Sequence, residues 1–385
     1  MPKPPHLTSR SGLENAYSHF VALAKASGEP LSPLHVGDTY LPPPDGCRME
    51  DLSIGTYPRL HQYSPVQGQS QLISSIIDKV ETKEGVATEP SNVIVTAGAT
   101  GGLFGLAASM IDPLDEVIML APYWPLFGNS IRHYGGVTKS LSIFDCMDQP
   151  DNIELLFDAL VTPKTVAVYW NTPHNPTGLV FSEAFLTALV QCARKHNLWI
   201  VADEVYEHYT YGEPHIYSRQ FAPERTISAY SFSKAFGMAG NRCGYLIGPD
   251  DIINRTLATT RNSFYAVTTA AQMSAIKALD GRGDRWAAAT SHAYASTGCK
   301  MAQILDIDPP QGSTFLFLDV AEALNGRPLS ILLENCARRG LLVAPGSSFG
   351  PFPTSVRICF TSAPPEVVLR GAEILAEEIE ALGIN

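Results

Sequence analysis

Residues 226–247 read TISAYSFSKAFGMAGNRCGYLI, with short apolar runs at Thr226–Tyr230 and Gly244–Ile247 on either side of a polar loop. Similar β-branched, apolar runs recur earlier in the chain, at Val93–Thr96, Val117–Leu120, Val166–Trp170 and Leu198–Ala202. Helical patterns such as Glu183–His196 separate most of these runs. Several runs are apolar on both faces, and this predicts an α/β fold with a buried, mainly parallel sheet covered by helices.

The two ends of the chain have a different pattern. Apolar spacing predicts helices over residues 11–27 and 69–83, whereas residues 1–10, with three prolines, look loose. The last hundred residues predict a helix around Asp284–Leu305, strands at Thr314–Leu318, Leu341–Val343 and Ser355–Phe360, and a helix after Pro365. We therefore predict a large domain over residues 45–285. A smaller domain would combine residues 1–44 with residues 286–385.

Composition narrows the possible partners and compartments. The 385-residue chain has a formal net charge of -11, which makes nucleic acid and anionic membrane improbable partners. Its seven cysteines show no metal-ligand spacing, and the N-terminus lacks the apolar stretch of a signal peptide. We expect a reduced cytoplasmic protein with no metal site and no disulfide framework. The uncharged stretch Val93–Ile111 could barely span a bilayer, but a buried strand, a glycine turn and a buried helix explain it better.

Lys234 lies in the polar loop, directly after an apolar run. Burying an ammonium group is costly unless the charge is paired or neutralised. A Schiff base to an aldehyde cofactor neutralises it, and a deprotonated lysine amine is the nucleophile for that reaction. Ser231, Ser233 and Arg242 flank Lys234, and two hydroxyls with a guanidinium fit a phosphate group. Taken alone, the loop is interpreted equally well as a surface loop with a solvated lysine.

Two more polar residues follow apolar runs. Asp203 ends the run WIVAD, at the strand end where α/β sheets bind ligands. An isolated aspartate there is more simply interpreted as a helix N-cap. Asn175 lies in the segment NTPHNPTG, residues 171–178, which its prolines and glycine make a tight, rigid turn. Without other evidence that segment would be a plain turn, and His174 within it is incidental.

Three further segments offer ligand contacts. Residues 96–103 read TAGATGGL, a strand running into a glycine turn and a helix, whose first backbone N–H groups favour a phosphate. The pattern is not G-x-G-x-x-G, so it does not indicate a dinucleotide. Arg357 lies in the apolar run VRICF and needs an anionic partner, either a ligand or a structural salt bridge. Trp124, rather than Tyr123, is our choice for an aromatic side chain that stacks on a ligand ring, the alternative being a core or lid aromatic.

The spacing of these residues is consistent with one site. Asn175 and Asp203 are 28 residues apart, and Asp203 and Lys234 are 31 residues apart. Each interval is about one strand–helix unit, so the three side chains can emerge at the same edge of the sheet.

Taken together, these motifs closely resemble those of the class I/II aminotransferases, pyridoxal 5′-phosphate (PLP) enzymes of fold type I. The similarity rests on S-x-S-K-x-x-x-M-x-G-x-R-x-G-Y at residues 231–245, N-P-T-G at residues 175–178 and the order of the other motifs, and it covers about residues 30–365. It implies that Lys234 carries PLP as a Schiff base. It also implies that Asp203 keeps the pyridine nitrogen of PLP protonated and that Tyr206 hydrogen-bonds the phenolic oxygen.

The same resemblance implies roles for the other residues. Asn175 would contact both cofactor and substrate, Trp124 would stack on the pyridine ring, and Arg357 with the backbone of Gly37 would bind the substrate α-carboxylate. The phosphate would be held by residues of two segments, namely Gly98, Ala99, Thr100, Ser231, Ser233 and Arg242. The family is also homodimeric with shared sites, and Tyr63, in HQYSPVQG at residues 61–68, is similar to the tyrosine that reaches the neighbouring subunit's phosphate.

Two departures from the family pattern bear on specificity. The phosphate turn reads G-A-T rather than S-G-T or G-G-K, so a side-chain contact at Gly98 is lost. No residue matches the second arginine that dicarboxylate-specific members use, since Arg261 is only near in sequence. The resemblance therefore puts aspartate specificity in doubt.

Three functions remain open from the sequence. The leading prediction is an aminotransferase acting on an amino acid and a 2-oxo acid. A lyase or cyclising enzyme of the same fold, which expels a β- or γ-substituent, is the main alternative. A PLP-binding regulator would need an added DNA-binding domain, for which this chain has no room.

Overall fold

The predicted apolar runs form a seven-stranded central sheet in the computed structural model, which describes residues 12–147 and 151–384. The strands of the chain, in order, are β1 (Ser32–Pro33), β2 (Val93–Thr96), β3 (Glu116–Ala121), β4 (Val137–Ser142), β5 (Thr165–Asn171), β6 (Trp199–Asp203), β7 (Thr226–Ser231), β8 (Gly244–Ile247), β9 (Phe315–Asp319), β10 (Leu341–Leu342), β11 (Ala344–Pro345) and β12 (Ser355–Cys359). The order in the central sheet is β2-β8-β7-β6-β5-β3-β4. Strand β8 runs antiparallel to both neighbours and the other pairs are parallel, so the predicted fold class is confirmed.

Helices cover both faces of this sheet. The α-helices are α1 (Gly12–Ser27), α2 (Ser70–Glu84), α3 (Gly98–Met110), α4 (Pro125–His133), α5 (Asp151–Leu160), α6 (Glu183–Lys195), α7 (Phe232–Ala235), α8 (Asp250–Ser263), α9 (Thr269–Lys277), α10 (Gly283–Leu305), α11 (Ala321–Leu324), α12 (Ser330–Arg338) and α13 (Pro365–Ile384). Along β3, Val117 and Met119 belong to one apolar cluster, whereas Ile118 and Leu120 belong to another. Alternate residues of one strand are thus buried under different helices, which explains the continuous apolar runs.

The remaining strands lie outside the central sheet. Strands β9, β11 and β12 form an antiparallel sheet, and β1 pairs with β10. Helices α1, α10, α12 and α13 pack around these strands. The strands of the central sheet lie between Val93 and Ile247, and those of the three-stranded sheet lie between Phe315 and Cys359. The domain boundaries at residues 44/45 and 285/286 stay a prediction.

Of two segments singled out in the sequence, one can be placed in the structure. The uncharged stretch is strand β2 followed by helix α3, and in the described part of the chain no helix has both the length and the apolarity needed to cross a bilayer. The loose segment predicted for residues 1–10 lies outside the described residues.

The register of the parallel strands brings three strand ends together. Asn171 at the end of β5 pairs with Asp203 at the end of β6, and Asp203 pairs with Ala229 of β7. The loop carrying Lys234 follows β7 directly. The carboxyl ends of adjacent parallel strands therefore deliver these polar residues to one edge, which is where open α/β sheets bind ligands.

Candidate active site

A cavity of about 660 Å³ opens at this edge of the sheet. Most of the residues predicted for the site line it, namely Gly37, Ala99, Thr100, Trp124, Asn175, Asp203, Tyr206, Ser231, Ser233, Lys234, Arg242 and Arg357. Gly98 and Tyr63 are not among its lining residues. Residues more than 300 positions apart in sequence, such as Gly37 and Arg357, thus share one pocket.

Asp203 is buried at the end of β6 and lines the cavity. It accepts hydrogen bonds from the Tyr169 hydroxyl at 3.1 Å and from the Val205 backbone N–H at 3.4 Å. Burial raises the pKa of Asp203 to about 7, against the opposing effect of these two hydrogen bonds. The segment after Asp203 is a turn and not a helix, so the N-cap interpretation does not apply.

Lys234 lies in the short helix α7, which Ser231 caps by accepting the Ser233 backbone N–H at 3.1 Å. Its ammonium group donates to the backbone carbonyl of Gly37, and the Tyr209 hydroxyl donates to the Lys234 carbonyl at 3.1 Å. Burial lowers the pKa of the Lys234 amine. A lowered pKa makes the neutral, nucleophilic amine more accessible near neutral pH, as covalent chemistry at a lysine requires.

Arg242 and the start of α3 form a cradle suited to a phosphate. Arg242 adopts a left-handed conformation, φ 52°, and donates to the Ser233 hydroxyl at 3.3 Å and to the Ala239 carbonyl at 2.9 Å. Helix α3 has no side-chain cap on its first N–H groups, which include those of Ala99 and Thr100. A Cβ atom on Gly98 would lie 2.5 Å from the Arg242 guanidinium. Gly98 therefore makes room for the arginine rather than lining the cavity itself.

Arg357, on β12, is a buried cation with no acidic partner among the residues that the structure describes. Its guanidinium donates to the Asn175 side-chain oxygen at 3.0 Å and to the His35 carbonyl at 2.6 Å. It lies 4.2 Å from the ring centroid of Phe315 and 4.6 Å from that of Phe349. Arg357 is only 7% exposed, its Nε has no hydrogen-bond partner, and no carboxylate of the described residues lies within 4.0 Å. The salt-bridge alternative is thus absent there, and an anionic ligand would complete the site.

Three other predicted residues complete the walls. Tyr206 is buried, with its ring edge-on to Phe315 at 5.7 Å between centroids, and burial raises its pKa so that the phenol stays protonated. Trp124 immediately precedes α4 and lines the cavity. A Cβ atom on Gly37 would lie 2.5 Å from the Phe315 ring and 3.5 Å from the Tyr206 hydroxyl, so the close backbone approach needs glycine.

Two residues lie away from the cavity. Tyr63 is 86% exposed and packs edge-on against Tyr265, with ring centroids 5.2 Å apart. A role for Tyr63 across a subunit interface stays a prediction. His174 is buried, with Nδ1 2.8 Å from the Thr177 hydroxyl, and burial lowers its pKa to about 3, as expected of a neutral structural histidine.

The sequence analysis missed several residues of the site. Tyr169, which holds Asp203, sits in an apolar strand and looks like a core residue. It lies two positions before Asn171 on the same strand face, so strand alternation from Asn171 could have found it. Tyr17 and His35 also line the cavity, with rings 5.6 Å apart, and no sequence signal marks them.

Comparisons with known proteins agree with this geometry. The sequence model of the family "Aminotransferase class I and II" matches residues 33–375. The chain is 31% identical over 301 residues to the probable aspartate/prephenate aminotransferase of Thermus aquaticus, covering 76% of this chain and 77% of that one. It is 30% identical over 337 residues to the aspartate aminotransferase of Bacillus subtilis, covering 83% and 82% of the two chains.

Solved structures give the same result. A double mutant of the Thermus thermophilus aspartate aminotransferase superposes with a TM-score of 0.84 at 27% identity, over 96% of each chain. Escherichia coli YbdL, described with a methionine aminotransferase function, superposes with a TM-score of 0.86 at 26% identity, over 98% of this chain and 100% of that one. These findings support the aminotransferase prediction and none of them favours the lyase alternative. The chain belongs to the aminotransferase class I and II family, and it is an aminotransferase.

Proposed function

We propose that this aminotransferase uses pyridoxal 5′-phosphate to move an amino group between an L-amino acid and a 2-oxo acid. One observation carries the proposal: an amine of lowered pKa, a buried carboxyl group and a buried cation, which has no acidic partner in the described part of the chain, line the same cavity. They belong to Lys234, Asp203 and Arg357. Each suits a different role in the reaction: Lys234 as nucleophile, Asp203 as the group that keeps a cofactor nitrogen protonated, and Arg357 as the binding group for a carboxylate.

The residues around the cavity fit the cofactor. Arg242, the hydroxyls of Ser231 and Ser233, and the first N–H groups of α3 would hold its phosphate. When bound, pyridoxal phosphate supplies an electron sink for the charge left on the substrate's α-carbon after its proton is removed. Asp203 would hold a proton at the ring nitrogen, Tyr206 would donate to the phenolic oxygen, and Trp124 would cover a face of the ring.

Three residues act on the substrate. Arg357 binds the α-carboxylate, and Asn175, whose side-chain oxygen already accepts from Arg357 at 3.0 Å, keeps an amide N–H for the ligand. Lys234 takes the α-proton as general base and returns a proton as general acid, a role that its lowered pKa supports.

Borohydride reduction of the purified protein, followed by peptide mapping, tests the assignment of Lys234. A pyridoxyl group should appear on the peptide that contains Lys234 and on no other. The reaction itself is tested by incubating the enzyme with single amino acids. Amino-group transfer leaves the cofactor in its amine form, whereas elimination releases ammonia with the aldehyde retained, and the latter outcome would overturn the proposed reaction.

We also propose a homodimer with shared active sites, in the cytoplasm. The exposed Tyr63 and Tyr265 pair offers an aromatic surface for a second subunit, and all seven cysteines are free, which suits a reducing compartment. Mixing inactive Lys234→Ala and Tyr63→Ala proteins tests the shared site. Mixed dimers should regain activity, because one of their two sites keeps both residues, and no recovery despite subunit exchange would contradict sharing. Cell fractionation tests the compartment.

A further inference from the structure

Tyr209 joins the turn after β6 to the helix that carries Lys234. Its side chain is buried, and its hydroxyl donates to the backbone carbonyls of Lys234 at 3.1 Å and of Ala235 at 3.2 Å. These two residues end α7, and the last carbonyls of a helix lack partners within the helix. Burial raises the pKa of Tyr209 above its usual range, so the phenol keeps the proton that it donates.

Helix α7 is a single turn, so its position depends on contacts from outside. A helix this short makes few hydrogen bonds of its own. At its start, the Ser231 hydroxyl accepts the Ser233 backbone N–H at 3.1 Å. At its end, the Tyr209 hydroxyl binds the carbonyl of Lys234 itself. The second contact therefore acts directly on the residue whose amine performs the proposed reaction.

Tyr209 is held in place by contacts of its own. Its backbone N–H donates to the Tyr206 carbonyl at 2.8 Å, and its carbonyl accepts from the Ser313 N–H at 2.8 Å. Its ring packs edge-on against that of Tyr294, with centroids 5.4 Å apart. Backbone and ring contacts thus fix the place of the hydroxyl.

We propose that Tyr209 is a positioning residue for Lys234: its hydroxyl holds the end of α7 so that the Lys234 amine meets the substrate's α-proton in the geometry that transfer needs. The inference rests on the proposed function, because it takes Lys234 as the group that moves this proton. A lysine amine sits on a long, flexible stem, so fixing the backbone at its base limits where the amine can go. A displacement of about 1 Å near a reacting group can slow a reaction about a hundredfold.

The variant Tyr209→Phe tests the role, because it removes the hydroxyl and keeps the ring that packs against Tyr294. With the amino acid that the wild type uses best, kcat should fall about tenfold or more, while KM should change by less than about threefold. The deuterium isotope effect on kcat for the α-deuterated amino acid should rise, because proton transfer then limits the rate. A purely structural role would lower stability or cofactor content and leave kcat per loaded site and the isotope effect unchanged. That result would overturn the inference.

The matched control is Tyr211→Phe. Tyr211 lies two residues further along the chain, and its hydroxyl donates to the backbone carbonyl of Ser313 at 2.5 Å instead of to α7. This variant also loses a bond from a tyrosine hydroxyl to a backbone carbonyl, but its kcat should stay within about twofold of the wild type. Equal losses of kcat in the two variants would overturn the specific role of Tyr209.

Hydrogen–deuterium exchange of the cofactor-free protein tests the contact without any turnover. The backbone amides of residues 231–238 should exchange about tenfold faster in Tyr209→Phe than in the wild type, and at the wild-type rate in Tyr211→Phe. Unchanged exchange in Tyr209→Phe would overturn the inference while leaving the proposed function intact. Failure of the proposed function is seen separately, in a wild type that transfers no amino group or in borohydride labelling of another lysine, and the positioning role would then fall with it.

Discussion

Asp203 and Glu204 are neighbours in sequence and both are buried, yet their carboxyl groups have opposite acid–base behaviour. Burial raises the pKa of Asp203 to about 7. Burial also acts to raise the pKa of Glu204, but the nearby His215 imidazole and the hydrogen bonds from Ser218 and Tyr230 outweigh it and hold the pKa below its usual range. Burial alone therefore does not decide the charge of a carboxyl group, and its partners do.

The partners differ because the two side chains serve different regions. Asp203 opens into the cavity and keeps two longer hydrogen bonds, at 3.1 and 3.4 Å. Glu204 faces a closed cluster, where it accepts from the Ser218 N–H at 2.7 Å and the Tyr230 hydroxyl at 2.6 Å. A carboxylate that lacks strong protein partners is available to a ligand, whereas a fully satisfied one stabilises the fold.

The largest expected effect is on the pH dependence of stability in the cofactor-free protein. Because the pKa of Asp203 is raised on folding, its contribution to stability is complete below its ordinary pKa and is lost as pH rises through about 7. The loss between about pH 4 and pH 7 is on the order of 4 kcal/mol. Urea unfolding of the wild type and Asp203→Asn over this range measures it, since the variant lacks the titrating group.

Glu204 should contribute a pH dependence of the opposite sign to the free energy of unfolding. Its lowered pKa means that its stabilisation is present above its ordinary pKa and is lost only as pH falls further into the acid range. An Asp203→Asn protein whose stability still falls with pH as the wild type's does would show that Asp203 is not the group responsible.

The second expected effect is on the rate. Under the proposed function, Asp203→Asn keeps the shape of the side chain but removes the charge that would hold a proton at the cofactor's ring nitrogen. The rate of α-proton removal should therefore fall about a hundredfold or more, which is roughly 3 kcal/mol. Single-turnover exchange of the substrate's α-proton, with cofactor content measured in parallel, tests this. Attachment at Lys234 should survive. Near-normal exchange would mean that the carboxylate serves only the fold.

Glu204→Gln should show a smaller effect, on stability instead of rate. The neutral amide weakens the hydrogen bonds from Ser218 and Tyr230, and the unfolding free energy at pH 7 should fall by about 2 kcal/mol. The rate per folded molecule should stay within about threefold, because Glu204 does not line the cavity. If Glu204→Gln lost as much rate as Asp203→Asn, the two regions would not be functionally separate.

Much of the fold, but not all of it, could be predicted from the sequence. The apolar strands and the order of the motifs were predictable, because burial on both faces and fixed strand–helix spacing leave a clear pattern. Strand β4, with sequence VTKSLS, has no counterpart among the predicted strands, because it is the half-exposed edge of the sheet. The predicted strand Leu341–Val343 instead ends at Leu342, and the chain continues into β11, since each piece pairs with a different partner.

Within the site, residue types were predictable but their contacts were not. Lys234, Asp203 and Arg357 follow or lie in apolar runs, which makes a charged side chain conspicuous. The bond from Arg357 to Asn175 joins residues 182 positions apart, and Tyr169 reaches Asp203 from a neighbouring strand. Such contacts depend on strand register and tertiary packing, which local patterns do not encode.

The smallest expected effect comes from the tyrosines that contact the two carboxyl groups. Tyr169→Phe removes a hydroxyl that favours the charged form of Asp203, so the pKa of Asp203 should rise from its value of about 7. A hydrogen bond from a neutral hydroxyl to a carboxylate that is worth about 1 kcal/mol corresponds to a pKa shift of roughly 0.7 unit. The infrared C=O stretch of the protonated carboxyl group in the cofactor-free protein, assigned by its loss in Asp203→Asn, reports this titration directly. Tyr230→Phe is the matched control, because it removes a hydroxyl that donates to Glu204 and should leave the Asp203 band unmoved while lowering stability. A downward shift in Tyr169→Phe, or equal shifts in both variants, would mean that Asp203 is tuned by the general polarity of the strand ends and not by the Tyr169 hydroxyl.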